Sequence, residues 1–220
     1  MTTTEKRAAR SNRAAPLAER ALAARLHLRP VPGLPEICLH LAHPGSRLGR
    51  MGGPPPYFAY PWAGGIALAR YLLANPGLVA GRAVADIGAG SGLVSIAALQ
   101  AGAAGATAHD CDTRALATVR LNARANGVTI TTCLGDALSG PLPDAPVILI
   151  GDLFYDDALA CGTLAFARAC AGAGRLVLIG DPGRAPLPLA ALRLLAEHEV
   201  PDMGDSPGKT RSAGVYTLRD

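Results

Sequence analysis

The chain has 220 residues, half of them hydrophobic, and a net charge of +4 from 21 Lys/Arg against 17 Asp/Glu. That length and apolar content suit one domain with a full core and exclude a largely disordered chain. The charge is uneven: residues 1–50 hold nine Lys/Arg against three acids, and residues 51–220 hold twelve against fourteen. The main part of the chain therefore lacks the basic stripe of a nucleic-acid enzyme, and no nucleic-acid or membrane partner is expected.

Lysine occurs only at Lys6 and Lys209 while Arg and Ala abound, which reads as the coding bias of a GC-rich, bacterial genome. The five cysteines, at 38, 111, 133, 161 and 170, are odd in number and contain no Cys-x-x-Cys. They read as small core residues in a reducing compartment, with no metal site expected. No secretory h-region is visible, so a cytoplasmic bacterial location is expected, or the mitochondrial matrix if the chain is eukaryotic. The uncharged stretch from Ile87 to His109 is broken by Gly102 and Gly105 and does not read as a membrane helix.

Residues 1–56 are expected to form a basic extension, flexible over 1–15, and residues 57–220 the main domain. Within the extension, Pro16 opens a predicted helix to about Leu28, with Leu17, Ala21, Ala24 and Leu28 on one stripe. Val31-Pro-Gly-Leu-Pro35 breaks it, Glu36–Leu41 alternates like an edge strand, and Gly45–Pro56 is a loop. Tyr57-Phe-Ala-Tyr-Pro-Trp62 then concentrates four of the nine aromatics before a helix over about Gly64–Ala74. Such aromatics can wall a ligand or staple the extension to the core, and Trp62 is the best candidate for a site residue.

The pattern now alternates strand and helix. Ala83–Ile87 is an apolar strand carrying Asp86, followed by Gly88, Gly90 and Gly92 and a helix ending near Gly102. Strands are predicted at Ala106–Asp110, Val128–Leu134, Val147–Gly151 and Arg175–Gly180, with a helix at Thr113–Ala125 capped by Asp112. A helix over about Leu187–Glu197, a weak sixth strand and a last strand near Val215–Leu218 complete an α/β, doubly wound, mostly parallel seven-stranded sheet. Aspartates close the first five strands at 86, 110, 136, 152 and 181, the edge where open α/β sheets bind ligands.

The turn Asp86-x-Gly88-x-Gly90-x-Gly92 lets a ligand approach the main chain where no Cβ intervenes. A dinucleotide fingerprint would need its third glycine at 93, where Leu93 stands. A carboxylate at Asp86 repels a pyrophosphate and suits a cationic amino group, so S-adenosylmethionine, with its ammonium and sulfonium, is the expected cofactor. A dinucleotide and an empty structural turn are the alternatives. Asp110 lies 22 residues beyond Gly88, close to the spacing of an acid that holds ribose hydroxyls.

These motifs resemble the seven-strand, Rossmann-like class I methyltransferases: the glycine turn, Asp110, Gly135-Asp136-Ala137 and Asp152-Leu-Phe-Tyr155. Three further stretches are similar to the electron-transfer-flavoprotein β-subunit lysine methyltransferases: Pro35–Leu41, Tyr57–Gly65 and Ile179-Gly-Asp-Pro-Gly-Arg184. Ile66 stands where that family has Gln, and Pro186 where its bacterial members tend to have Tyr. The resemblance implies methylation of lysine on the flavoprotein β-subunit, with Asp152 and Tyr155 at the lysine head group. It also implies cofactor contacts from Trp62, Asp86, Gly88, Gly90, Ser91, Gly92, Asp110, Cys111, Asp136, Ala137 and Asp152, with Asp136 on the adenine amino group. A methyltransferase of another protein, such as a ribosomal protein, or of a small amine remains open. So does a dinucleotide oxidoreductase or a silent binding domain.

Overall fold

The computed structural model describes residues 16–201 and 209–219; the basic stretch 1–15 lies outside them. The described elements are, in chain order, α1 (Leu17–Ala23), β1 (His27–Val31), β2 (Leu34–Leu41), α2 (Ala63–Ala74), β3 (Ala83–Ile87), α3 (Leu93–Gln100), β4 (Gly105–Asp110) and α4 (Thr113–Ala125). There follow β5 (Thr131–Leu134), β6 (Val147–Gly151), α5 (Asp157–Gly172), β7 (Leu176–Asp181), β8 (Leu192–Pro201) and β9 (Thr210–Leu218). None of the described helices is long and apolar enough to cross a membrane.

Strands β3 to β9 form one seven-stranded sheet in the order β5-β4-β3-β6-β7-β9-β8. The first five of that order run parallel, and β9 pairs antiparallel with both β7 and β8. The central strand β6 explains the layers. Val147, Ile148, Leu149 and Ile150 are all fully buried, and alternation sends them to opposite faces. Val147 and Leu149 join the core packed with Ile66 and Leu68 of α2 and Ile96 of α3. Ile148 and Ile150 pack with Phe154, and with Phe166 of α5, on the other face. The order reverses on either side of β3, which places a crevice beyond its carboxyl end.

Three sequence expectations change. The predicted helix over 16–28 stops at Ala23, and His27–Val31 becomes a strand paired antiparallel with β2 in a separate two-stranded sheet. Its expected stripe is not the buried one: Leu17 is 81% exposed, whereas Glu19, Leu22 and Leu26 are buried. Glu19 faces inward because its carboxylate receives Arg120 Nε at 2.7 Å and also pairs with Arg124, both on α4.

The helix expected over Leu187–Glu197 is instead a short 3-10 turn, Leu189–Ala191, followed by β8. Leu, Ala, Arg and Glu favour a helix locally, but β9 offers a ladder from Leu192↔Leu218 to Pro201↔Thr210, and tertiary pairing prevails. The strand expected from Val128 begins only at Thr131, because the Val128 N–H is bound to the Ala123 carbonyl at the end of α4.

Candidate active site

The loops beyond the carboxyl ends of β3, β4, β5, β6 and β7 meet around a cavity of about 590 Å³. The glycine turn forms its floor. Gly90 has φ +52°, and a Cβ there would meet nothing closer than Gly88 O and Phe58 Cα, each at 3.9 Å. It would stand in the cavity itself. The other glycines have different work: Gly92 caps α3, and a Cβ on it would press on Val119 at 3.2 Å.

Asp86 was expected on the ligand but stands behind the turn, 1% exposed and off the cavity wall. Its Oδ2 accepts the Ser95 N–H at 3.0 Å and the Ser95 hydroxyl at 2.7 Å. The reason is local: α3 begins with glycine as its N-cap and has no capping side chain of its own, so Asp86 satisfies an orphan donor from the strand. Burial, opposed by the Ser95 bonds, pushes its pKa up to about 6. Ser91 is also buried and off the cavity, its carbonyl accepting Asn122 Nδ2 at 2.8 Å, and Gly92 likewise does not line the cavity.

Asp110, Cys111, Asp112, Asp136, Ala137 and Leu138 form one wall. Asp110 is shaped by main-chain donors: Oδ2 accepts from Gly90 N at 2.9 Å and Oδ1 from Asp112 N at 2.9 Å. Burial raises its pKa, and these N–H bonds oppose the rise. Asp136 is exposed, and the Ser139 hydroxyl, followed by the Leu138 N–H, lowers its pKa. The Cys111 thiol is pushed up by burial and then by Asp136 and Asp110, so it stays protonated at neutral pH.

The opposite wall is a strap, Pro54–Phe58, clasped by Arg114 of α4. Its guanidinium donates to Gly52 O at 2.6 Å and Pro54 O at 2.7 Å, and to both Asp112 carboxylate oxygens. It also lies 5.4 Å from the centroid of the Phe58 ring. One cation thus ties the strap to the wall.

At the mouth, the Tyr57 ring lies 5.8 Å from those of Trp62 and Tyr155. The Trp62 indole N–H donates to Tyr57 O at 2.9 Å. Burial raises the Tyr155 pKa, followed by the charge of Tyr57 and Asp156, so the phenol remains a hydroxyl donor. Beside it Asp152 has φ +60°, a left-handed conformation uncommon outside glycine. Its N–H donates to Gly180 O at 2.9 Å, and its carboxylate accepts Gly64 N at 3.1 Å, Gly65 N at 2.6 Å and Arg184 Nη1 at 2.7 Å. Burial raises the Asp152 pKa, and Arg184 and the two N–H groups oppose it.

The paired glycines after Trp62 therefore serve a backbone approach, but to protein. A Cβ on Gly64 would collide with the Gly180 carbonyl, and one on Gly180 with the Gly64 carbonyl. Asp181 is fully buried beneath, its Oδ1 accepting Gly183 N at 2.9 Å and Arg184 N at 2.8 Å, its Oδ2 accepting Arg184 Nη1 at 3.0 Å. The five strand-end aspartates are thus not one acidic rim. Asp110, Asp136 and Asp152 line the cavity, while Asp86 and Asp181 are buried supports.

A family model described as ribosomal protein L11 methyltransferase (PrmA) matches residues 72–148. That is about a third of the chain and includes the glycine turn but neither Asp152 nor Arg184. The electron transfer flavoprotein beta subunit lysine methyltransferase of Danio rerio is 41% identical over 179 residues, covering 76% of this chain and 69% of that protein. This chain belongs to that lysine methyltransferase family. The Rattus norvegicus protein of the same name is 39% identical over 166 residues, 72% of this chain and 65% of its own length. A solved Pyrococcus horikoshii protein, titled a candidate RNA methyltransferase, covers 69% of this chain and 81% of its own at a TM-score of 0.52. At 15% identity, that likeness is one of fold.

Within this lysine methyltransferase, Trp62, Gly88, Gly90, Asp110, Cys111, Asp136, Ala137, Asp152 and Tyr155 line one cavity. Sequence reasoning passed over Arg184, Phe58 and Tyr57, which line it too. Tyr57 and Phe58 belong to the same aromatic run as Trp62. Arg184 closed the Gly-Asp-Pro-Gly-Arg motif without a role, although a lone cation among strand-end aspartates is itself a pairing signal. Neither departure from the family pattern lines the cavity: Ile66 is buried in the core of α2, and Pro186 lies beyond Arg184.

Proposed function

We propose that the chain is an S-adenosylmethionine-dependent protein-lysine N-methyltransferase acting on the β-subunit of electron transfer flavoprotein. The observation that carries the reading is one cavity that brings together the glycine turn, the acids Asp110 and Asp136, and Asp152 with three aromatic rings. The donor set fits the cofactor. Gly90 leaves open the space a Cβ would fill, Asp110 offers an acceptor for ribose hydroxyls, and Asp136 can accept from the adenine amino group. When bound, S-adenosylmethionine supplies an electrophilic methyl group on a sulfonium.

The chain's own residues would align the amine and favour its neutral form. Lysine is protonated at neutral pH, and the positive charge of the bound cofactor, beside the rings of Tyr57, Trp62 and Tyr155, would disfavour its charged form. The Tyr155 hydroxyl orients the nitrogen so that its lone pair faces the methyl carbon. That nitrogen would receive the methyl group from the bound cofactor, and the proton the amine loses would pass to water. The location follows the substrate, cytoplasmic in a bacterium and mitochondrial in a eukaryote.

The L11 match over residues 72–148 supports a second reading, a ribosomal-protein methyltransferase, but it stops short of Asp152, Tyr155 and Arg184. Calorimetry tests the cofactor: S-adenosylhomocysteine should bind and NAD should not. Asp110→Asn should weaken that binding by about 1–3 kcal/mol, the scale of a hydrogen bond to a charged group. Unchanged affinity would move the ribose contact away from Asp110.

A further inference from the structure

We infer that Arg184 is a positioning residue for methyl transfer: it holds the Asp152 carboxylate in place and keeps a fixed positive charge beside the amine's path. The inference rests on the lysine-methyltransferase reading and goes beyond it. The geometry is a closed relay. Asp181, fully buried, grips Arg184 through its backbone N–H at 2.8 Å and its guanidinium at 3.0 Å. Arg184 Nη1 then reaches Asp152 Oδ1 at 2.7 Å, while Gly64 and Gly65 at the start of α2 hold Asp152 from the other side.

Two carboxylates share one guanidinium, so the cluster carries about one net negative charge instead of two. That difference acts on the substrate. Without Arg184, Asp152 on the cavity wall and Asp181 buried beneath it would both be unpaired, and an arriving ammonium would be held in its protonated, unreactive form. With Arg184 in place, Asp152 has its strongest donor already, and the amine gains less by staying charged.

Other titratable groups act on this cluster or its neighbours. Tyr155 and Asp156 come from the turn into α5, and Tyr57 from the strap. Asp110 and Cys111 stand across the cavity, and Tyr216 of β9 faces Asp181, with Glu197 of β8 behind it. All remain when Arg184 alone is changed, so a comparison of variants isolates its charge.

The test is kcat and KM for lysine methylation against pH, for the unaltered chain, Arg184→Met and Arg184→Lys. Arg184→Met should move the acid limb of kcat upward by about one pH unit and lower kcat at pH 7 about tenfold, without raising KM for the protein substrate. Arg184→Lys keeps the charge and loses the planar fork, so it should restore the limb but only part of the rate.

Melting curves give a second reading without turnover. Arg184→Met should lose more stability at pH 8 than at pH 5, because Asp152 and Asp181 must then be buried ionised and unpaired. Adding Asp152→Asn should recover part of the loss at pH 8. An unshifted acid limb in an active Arg184→Met, or equal loss of stability at both pH values, overturns the inference alone. Failure of the unaltered chain to methylate any lysine overturns the reading beneath it.

Discussion

At the scale of single residues, the site uses positions whose type is dictated by what stands in front of them. Gly90 is the clearest. Its φ of +52° disfavours any side chain, and a side chain there would project into the space a ligand would take. Gly90→Val should abolish S-adenosylhomocysteine binding in calorimetry and leave a cooperative melting transition, lowered by the strain of a branched residue in the left-handed region. Normal binding by that variant would place the cofactor off this turn.

Asp86 makes a different prediction because it is a buried support. Its pKa, raised from 3.8 to about 6, means that the folded state binds the proton more tightly than the unfolded chain does. Its contribution to stability is therefore fully present below about pH 4 and is lost as pH rises through about 6. The displacement corresponds to roughly 3 kcal/mol as an upper bound. Asn in its place can still accept from Ser95 and carries no charge. Asp86→Asn should therefore melt higher than the unaltered chain at pH 8, with the advantage shrinking toward pH 4. A lower melting temperature at pH 8 would show that the carboxylate itself is needed.

At the scale of elements, strand–turn–helix order around the glycine turn was legible because each signal is local: an apolar strand, glycines at fixed offsets, Asp112 as a cap accepting from Arg114 N. β6 matched its predicted bounds because a short run of buried aliphatics between turn residues has few alternatives. What was not legible depended on partners distant in sequence. Helix-forming residues in β8 are held extended by β9, and Glu19 turns inward for two arginines a hundred residues away. The functions of Gly64 and Gly180 exist only as a pair, 116 positions apart, and neither announces the other.

The strap over Gly52–Phe58 makes an element-scale prediction of its own. Its carbonyls at Gly52 and Pro54 depend on the Arg114 guanidinium, which also fixes Asp112. Arg114→Ala should weaken cofactor binding about ten- to hundredfold, equivalent to about 1.5–3 kcal/mol for lost hydrogen bonds to a charged group. It should also speed proteolytic cleavage within residues 50–57, while the rest of the chain stays resistant. Unchanged affinity and cleavage would show that the strap holds without this clasp.

At the scale of the molecule, the sheet order brings together the carboxyl ends of β3, β4, β6 and β7, and each supplies a distinct part of the cavity: the glycine floor, Asp110, Asp152 and the Arg184 guanidinium. Much of the family could be read from short motifs because several of them, the glycine turn, Asp152–Tyr155 and Ile179–Arg184, lie at these strand ends. The outer surface around Tyr57 and Tyr155, both about half exposed, is harder to read, since no short motif describes it.

The central claim is methyl transfer to lysine on the flavoprotein β-subunit, and a side-by-side assay tests it most directly. The chain is incubated with labelled S-adenosylmethionine and either purified electron transfer flavoprotein or ribosomal protein L11, and the modified residues are mapped by mass spectrometry. The account predicts label on lysine side chains of the flavoprotein β-subunit, with little on L11. Label on L11 with an unmodified flavoprotein would contradict it.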